Sequence, residues 1–140
     1  MSGEGEGGIV DFDAVKTIAV VGLSDKPERA SNRVACYLQG CGYRIVPVNP
    51  AIAAVLGEKA FPDISSIPPE IEIDVVNIFR KPEAVLPFVR QAVERGGVKV
   101  VWMQEGIVND EAAALAEAAG IEVIMDKCIL KEHQSHKSGC

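Results

Sequence analysis

Residues 22–31 run Gly-Leu-Ser-Asp-Lys-Pro-Glu-Arg-Ala-Ser, directly after the apolar run Thr17-Ile18-Ala19-Val20-Val21. A glycine closing a strand lets backbone approach a ligand, and a helix opening near Ser31 would turn unpaired N–H groups toward an anion. Lys26, Arg29 and Arg33 add charge-assisted donors. The combination suits a ligand carrying several phosphates, and Arg80 and Lys81 offer two more cations from another segment. Taken alone, Gly22 equally well makes only a tight turn, and each cation singly reads as a solvated surface group. The dinucleotide pattern G-x-G-x-x-G is absent, because only Gly22 occupies one of its glycine positions. The acid that would hold an unphosphorylated ribose is missing too, and Asn49 stands where it is expected. Both gaps count against NAD.

The other reactive side chains do not assemble into a catalytic set. No Ser/His/Asp or Cys/His triad can be drawn, and no carboxylate pair has a catalytic context. Asp74 opens one apolar run and Asp126 closes another, so each reads as a hydrogen-bonded structural acid in preference to a proton-transfer group. Cys36 and Cys41 fall on the inward face of a helix and read as small core residues. His133 and His136 lie among Lys131, Glu132 and Lys137, which makes them solvated surface groups. Together with Cys128 they lack the second cysteine pair of a structural zinc site. The expectation is no catalytic residue and no metal ligand.

Five apolar, β-branched runs must position the candidate residues: 17–21, 43–48, 73–79, 98–103 and 121–125. None alternates strictly, so each reads as a strand buried on both faces. Helical spacing fills most of the gaps. Val34, Tyr37, Leu38 and Cys41 share one face, with Ser31 as N-cap and Gly42 as stop. Pro82 starts a second helix carrying Val85, Leu86, Val89 and Val93 inward, and Pro87 either kinks it or delays its start. Asn109 caps a third, with Asp110 and Glu111 in its first turn and Gly120 past its end. Residues 51–72 contain Gly57, Pro62, Pro68 and Pro69 and read as irregular, with at most a short helix. Crossovers of this length imply right-handed βαβ units. The expected fold is a three-layer, Rossmann-like α/β domain whose open five-stranded parallel sheet is ordered 3-2-1-4-5. Residues 1–10 read as a flexible tail, 11–132 as the domain, and 133–140 as a polar tail.

Such sheets bind ligands beyond the carboxyl ends of their strands, where the strand order reverses. On that edge lie residues 22–31, Asn49-Pro50, Phe79-Arg80-Lys81-Pro82, Gln104-Glu105-Gly106 and Asp126-Lys127-Cys128. A net charge of −6 argues against nucleic-acid and membrane-surface roles. It leaves room for a small anion held by local dipoles. No apolar stretch approaches the ~20 residues of a spanning helix. Four scattered cysteines make no disulfide framework, so a reduced, cytoplasmic protein is expected.

In order along the chain, five segments carry a family likeness: residues 17–31, residues 42–50, Phe79-Arg80-Lys81-Pro82-Glu83-Ala84-Val85, Trp102-Met103-Gln104-Glu105-Gly106-Ile107 and Asp126-Lys127-Cys128. They resemble the small stand-alone CoA-binding proteins, whose fold is similar to the N-terminal CoA-binding domain of the succinyl-CoA synthetase alpha subunit. The resemblance implies coenzyme A or an acyl-CoA as ligand. It implies that Gly22 and Ser24 line the loop beside the pyrophosphate and that Lys26 and Arg29 face phosphates. Asn49 and Pro50 would border the adenosine end, and Phe79, Arg80 and Pro82 would flank the adenine or the ribose phosphate. Gln104, Glu105 and Gly106 would lie near the middle of the cofactor. Cys128 then reads either as a partly buried structural cysteine or as a partner for the CoA thiol in a mixed disulfide. The synthetase reaction needs a second domain with a phosphorylated histidine and a nucleotide-binding partner subunit, so binding without catalysis is expected here. Two other readings stay open. One is an NADP-binding oxidoreductase with Arg29 and Arg33 on the 2′-phosphate; the other is a CoA-sensing regulatory module acting through a protein partner.

Overall fold

The β-branched runs form the strands β1 (Thr17–Val21), β2 (Arg44–Val48), β5 (Val75–Ile78), β6 (Val100–Met103) and β7 (Glu122–Ile124), with a small antiparallel pair, β3 (Ala54–Val55) and β4 (Glu58–Lys59), between β2 and β5. The computed structural model describes residues 10–137. Residues 1–9 of the expected first tail, and residues 138–140 of the second, lie outside the described residues. Helices α1 (Ala30–Gly40), α2 (Val85–Arg95), α3 (Asp110–Ala118) and α4 (Ile129–Lys137) complete the domain. The five long strands make one parallel sheet, and α1 and α4 cover one face while α2 and α3 cover the other. No helix among the described residues is long and apolar enough to cross a membrane.

The strand order is β2-β1-β5-β6-β7. Counted over the five long strands this is 2-1-3-4-5, so the expected 3-2-1-4-5 is wrong in its first three places. The third strand pairs with the first, Ile18 opposite Val75 and Val21 opposite Ile78, and the second is left at the edge. Pro47 explains why. Its carbonyl faces outward and accepts from Phe61 N at 2.9 Å, and the nitrogen of an extended residue faces the same way as its carbonyl. A third strand on that side would have met a position with no N–H to give, so the proline suits an edge and not a centre. The outer side of β2 instead receives a single bridge from Phe61 to Val48, fed by the β3–β4 turn.

Each face of the sheet buries its own apolar cluster. Leu38, Val34, Trp102 and Ile129 pack on one side, and Val89, Ala92, Ala112 and Ile78 on the other. Trp102 is fully buried because its Nε1 donates to Lys127 O at 2.9 Å, which satisfies the one polar atom of the ring. Asn109 caps α3 as expected, its side chain accepting from Ala112 N. Pro82 opens a short 3₁₀ turn and the α-helix begins only at Val85. Pro87 therefore sits in the first turn, where a missing N–H costs nothing. Residues 51–72 are largely irregular, as expected, apart from the β3–β4 pair and a 3₁₀ turn at Ile64–Ser66.

Several local expectations fail. Ser31 lies inside α1, and Arg29 holds the cap position. Cys36 faces solvent, against its reading as a core residue, whereas Cys41 packs against the core as expected but is disulfide-bonded and not reduced. The C-terminal tail is not a tail as far as Lys137, because α4 runs through it. His133 is only 1% exposed. Its Nδ1 lies 2.6 Å from Tyr37 Oη, and Phe12, Tyr37 and Tyr43 meet its ring edge-on. At the other end, Val10 is buried and belongs to the core instead of the flexible tail.

Candidate functional site

β1 ends at Gly22, whose φ of +85° strains any residue with a Cβ. Space forbids one as well: a Cβ there would stand 2.4 Å from Phe79 O and 3.0 Å from Arg80 Cδ. Gly22 thus lets the turn after β1 lie against the turn after β5, between the two strands that flank the reversal of order. Hydrogen bonds fix that turn from several sides. Gly22 N donates to Val48 O at 2.8 Å, Asn49 Nδ2 to Leu23 O at 2.9 Å, and Asn32 Nδ2 to Ser24 O at 2.9 Å. Ser24 N donates to Ser31 Oγ at 3.0 Å, and Ser24 Oγ accepts from Lys26 N at 3.1 Å. Arg33 donates to Glu28 O, which ties it to the loop.

With Ser31 turned to this duty, no side chain caps α1. The start of an uncapped helix of eleven residues carries partial positive charge. It opens on a depression of about 230 Å³ bounded by Gly22, Ser24, Arg29, Ala30, Ser31 and Phe79. A second depression of about 360 Å³ shares Ala30 and Phe79 with the first and extends past Arg80 and Lys81 to Gln104, Glu105 and Ile107. Together they form a trough along the carboxyl edge. Its floor has a feature the sequence reading missed. Asn77, fully buried in β5, donates through Nδ2 to Gln104 Oε1 at 3.1 Å, and Ile129 N donates to the same oxygen at 2.9 Å. The signal was a lone amide within the run Val75-Val76-Asn77-Ile78.

Gly22, Ser24, Arg29, Ser31, Phe79, Arg80, Gln104 and Glu105 line the trough, and five expected residues do not. Lys26 and Pro50 are exposed nearby. Asn49 supports the loop from behind, its Oδ1 also accepting from Ala51 N at 2.8 Å. Pro82 O accepts from Asn109 Nδ2, and Gly106 N donates to Asp126 Oδ1 at 2.7 Å, so both brace neighbouring turns. Arg80 lies over the Phe88 ring at 5.7 Å, and Glu105 pairs with Lys131 at 3.0 Å. Asp126 thus serves a backbone N–H, in keeping with a structural acid. Cys128 is a half-buried free thiol that packs against the α1 face.

A larger hollow of about 640 Å³ lies at the opposite edge, between Phe12, Lys16, Tyr43, Arg44 and His133. Size does not decide the matter. That hollow sits at the amino ends of the strands, whereas ligands of open parallel sheets bind at the carboxyl ends where the order reverses. The trough is the better candidate.

A family model described as a CoA binding domain matches residues 16–134, a span that holds the whole trough. The chain belongs to the CoA-binding domain family. This CoA-binding domain is 45% identical over 118 residues to the uncharacterised protein YneT of Bacillus subtilis, covering 84% of this chain and 85% of YneT. A hypothetical protein of Pyrococcus horikoshii superposes with a TM-score of 0.84 at 40% identity, covering 91% of this chain and 92% of the other. Acetyl-coenzyme A synthetase 1 of Candidatus Korarchaeum cryptofilum matches with a TM-score of 0.67 at 26% identity. There the CoA-binding domain spans 77% of this chain and 25% of that longer one. The likeness expected to a synthetase therefore holds at the level of this domain, and the synthetase matched is named for acetyl-CoA and not for succinyl-CoA.

Proposed function

We propose that this domain binds coenzyme A or an acyl-CoA along the carboxyl-edge trough and performs no catalysis of its own. One observation carries the reading. In a chain of the CoA-binding domain family, two adjoining depressions meet at the strand-order reversal, and one of them lies under an uncapped helix start beside Arg29. The helix start and Arg29 suit the pyrophosphate, with Lys26 close enough on the exposed turn to add charge. Phe79, Arg80 and Lys81 suit the adenine and the ribose phosphate, and Gln104 with Glu105 suits the central part of the ligand. Asn49, Pro82 and Gly106 hold the walls. The hydroxyls nearest the trough are tied into the loop, Ser31 by Ser24 N and Ser24 by Lys26 N, which favours binding over nucleophilic chemistry. A cytoplasmic location goes with this proposal.

Titration calorimetry with CoA, NADP and NAD tests it. The expected result is saturable binding of CoA and much weaker binding of either dinucleotide. Tighter binding of NADP than of CoA would overturn it.

A further inference from the structure

The trough's second depression has a polarity, and the hydrogen bonds beneath it set the sign. Gln104 is only 5% exposed. Its Oε1 accepts from two donors, Asn77 Nδ2 at 3.1 Å and Ile129 N at 2.9 Å. Rotating the amide by half a turn would set its NH₂ against the Ile129 N–H, two donors face to face, so the backbone of α4 fixes the orientation. Asn77 could turn its own oxygen to Gln104 as an acceptor only if Gln104 turned over as well. It does not: Asn77 Oδ1 is the one buried side-chain polar atom among the described residues that lacks a partner. The fold accepts that cost and keeps Gln104 Oε1 pointing inward. The Nε2 amide has no acceptor among the described residues, is not sealed in, and belongs to a side chain lining the 360 Å³ depression.

We propose that Gln104 Nε2 is a fixed donor to a carbonyl oxygen of the ligand's pantetheine–acyl arm. The neighbours support a neutral acceptor at this point. Ala30, Phe79 and Ile107 are the depression's apolar lining, Glu105 is paired with Lys131, and of its two cations Arg80 lies over the Phe88 ring while Lys81 is exposed. A neutral amide donor beside apolar walls matches an amide or thioester carbonyl, whereas the ligand's phosphates are better served by Arg29, the helix start, Arg80 and Lys81. Asn77 is a positioning residue, acting only through Gln104. This inference rests on the CoA reading of the trough.

The test compares Gln104→Glu with the unmodified protein in titrations of CoA and of 3′-phosphoadenosine 5′-diphosphate, the nucleotide half without the arm. One carboxylate oxygen can still accept from Asn77 Nδ2 and Ile129 N, but the other presents an acceptor where a donor stood. The expected result is about a tenfold or greater loss of CoA affinity with the nucleotide half unaffected. S-ethyl-CoA and acetyl-CoA separate the two carbonyl sources. A preference for acetyl-CoA that vanishes in the variant assigns the thioester, and equal losses for both assign a pantetheine amide. A second readout needs no variant to fold: the Gln104 side-chain amide resonances should shift on adding CoA and stay in place on adding the nucleotide half. Unchanged CoA affinity in Gln104→Glu, or equal loss of CoA and of the nucleotide half, would overturn the inference alone. An unmodified protein that bound no CoA would overturn the CoA reading and this inference with it.

Discussion

The two edges of the sheet handle polar groups in opposite ways. At the amino edge they are spent on one another. Asp74 Oδ2 accepts from Lys16 N at 2.8 Å and Thr17 N at 3.0 Å, and Lys99 Nζ stands 3.4 Å from its other oxygen. Arg95 donates to the carbonyls of Ile67, Pro68 and Ile71 at 2.6–2.8 Å and, more loosely, to that of Ile64. His133 sits in its ring of aromatic side chains. At the carboxyl edge the polar groups are aimed and held but left open: α1 has no side-chain cap, and Gln104 presents a donor with no acceptor among the described residues. A buried polar group that is satisfied builds structure, and one kept open at a trough is available to a ligand. The comparison supports placing the proposed binding at the carboxyl edge even though the larger hollow lies at the other edge.

The comparison can be broken by substitutions that move stability and binding in the wrong places. The largest effect expected is at the amino edge. Arg95→Met should lower unfolding free energy by about 3 kcal/mol, because three part-buried carbonyls lose a charged donor at once. Urea unfolding measures that loss, and CoA affinity extrapolated to the folded protein should not change. Gly22→Ala should cost about 2 kcal/mol, since a Cβ combines a positive φ with a clash against Phe79 O. Unlike Arg95→Met it should also weaken CoA binding, because the two turns can no longer meet.

Smaller effects sharpen the contrast. Arg29→Ala should leave stability within about 0.5 kcal/mol and reduce CoA affinity about tenfold, since the residue is exposed in the free protein and gains its partner only from the ligand. An unchanged affinity by calorimetry would remove Arg29 from the site. Asp74 supplies the pH test. Partial burial pushes its pKa up, but the Lys16 and Thr17 N–H donors and nearby Lys99 outweigh this and hold it below the ordinary carboxylate value. The unfolded chain then binds the proton more readily than the folded one, so this group's stabilisation is complete above the unfolded value of about 4 and fades as pH falls through the lower folded value. Asp74→Asn should flatten that acid limb and cost about 1 kcal/mol at neutral pH, read by denaturant unfolding at several pH values. CoA binding at neutral pH should be indifferent to it.

How much of this was legible before the structure follows the same division. The five strands could be read because both of their faces are buried, which leaves unbroken β-branched runs. The edge proposed for the ligand drew notice because turns after such strands collect Gly, Pro and charge. The strand order was misread because βαβ spacing does not say on which side a strand inserts, and the one residue that did, Pro47, was passed over. His133 was misread because α4 is short and polar, with Ile129 and Leu130 as its only aliphatic residues. Its burial depends on rings supplied by Phe12, Tyr37 and Tyr43, far away in the chain, which no local pattern reveals. Asn32 and Asn77 escaped notice for a related reason: their work is to hold Ser24 and Gln104, and a holding residue carries no motif. Ser31 was placed in the right segment with the wrong partner, serving Ser24 N instead of its own helix.

The most direct measurement is an amide-resonance titration with CoA, run beside a melting curve. Saturating CoA should raise the melting temperature and shift the amides of residues 22–31, Phe79 and Gln104, while those around Asp74, Arg95 and His133 stay in place. No change at the carboxyl edge, or shifts gathered around His133 and the amino-edge hollow, would contradict the account.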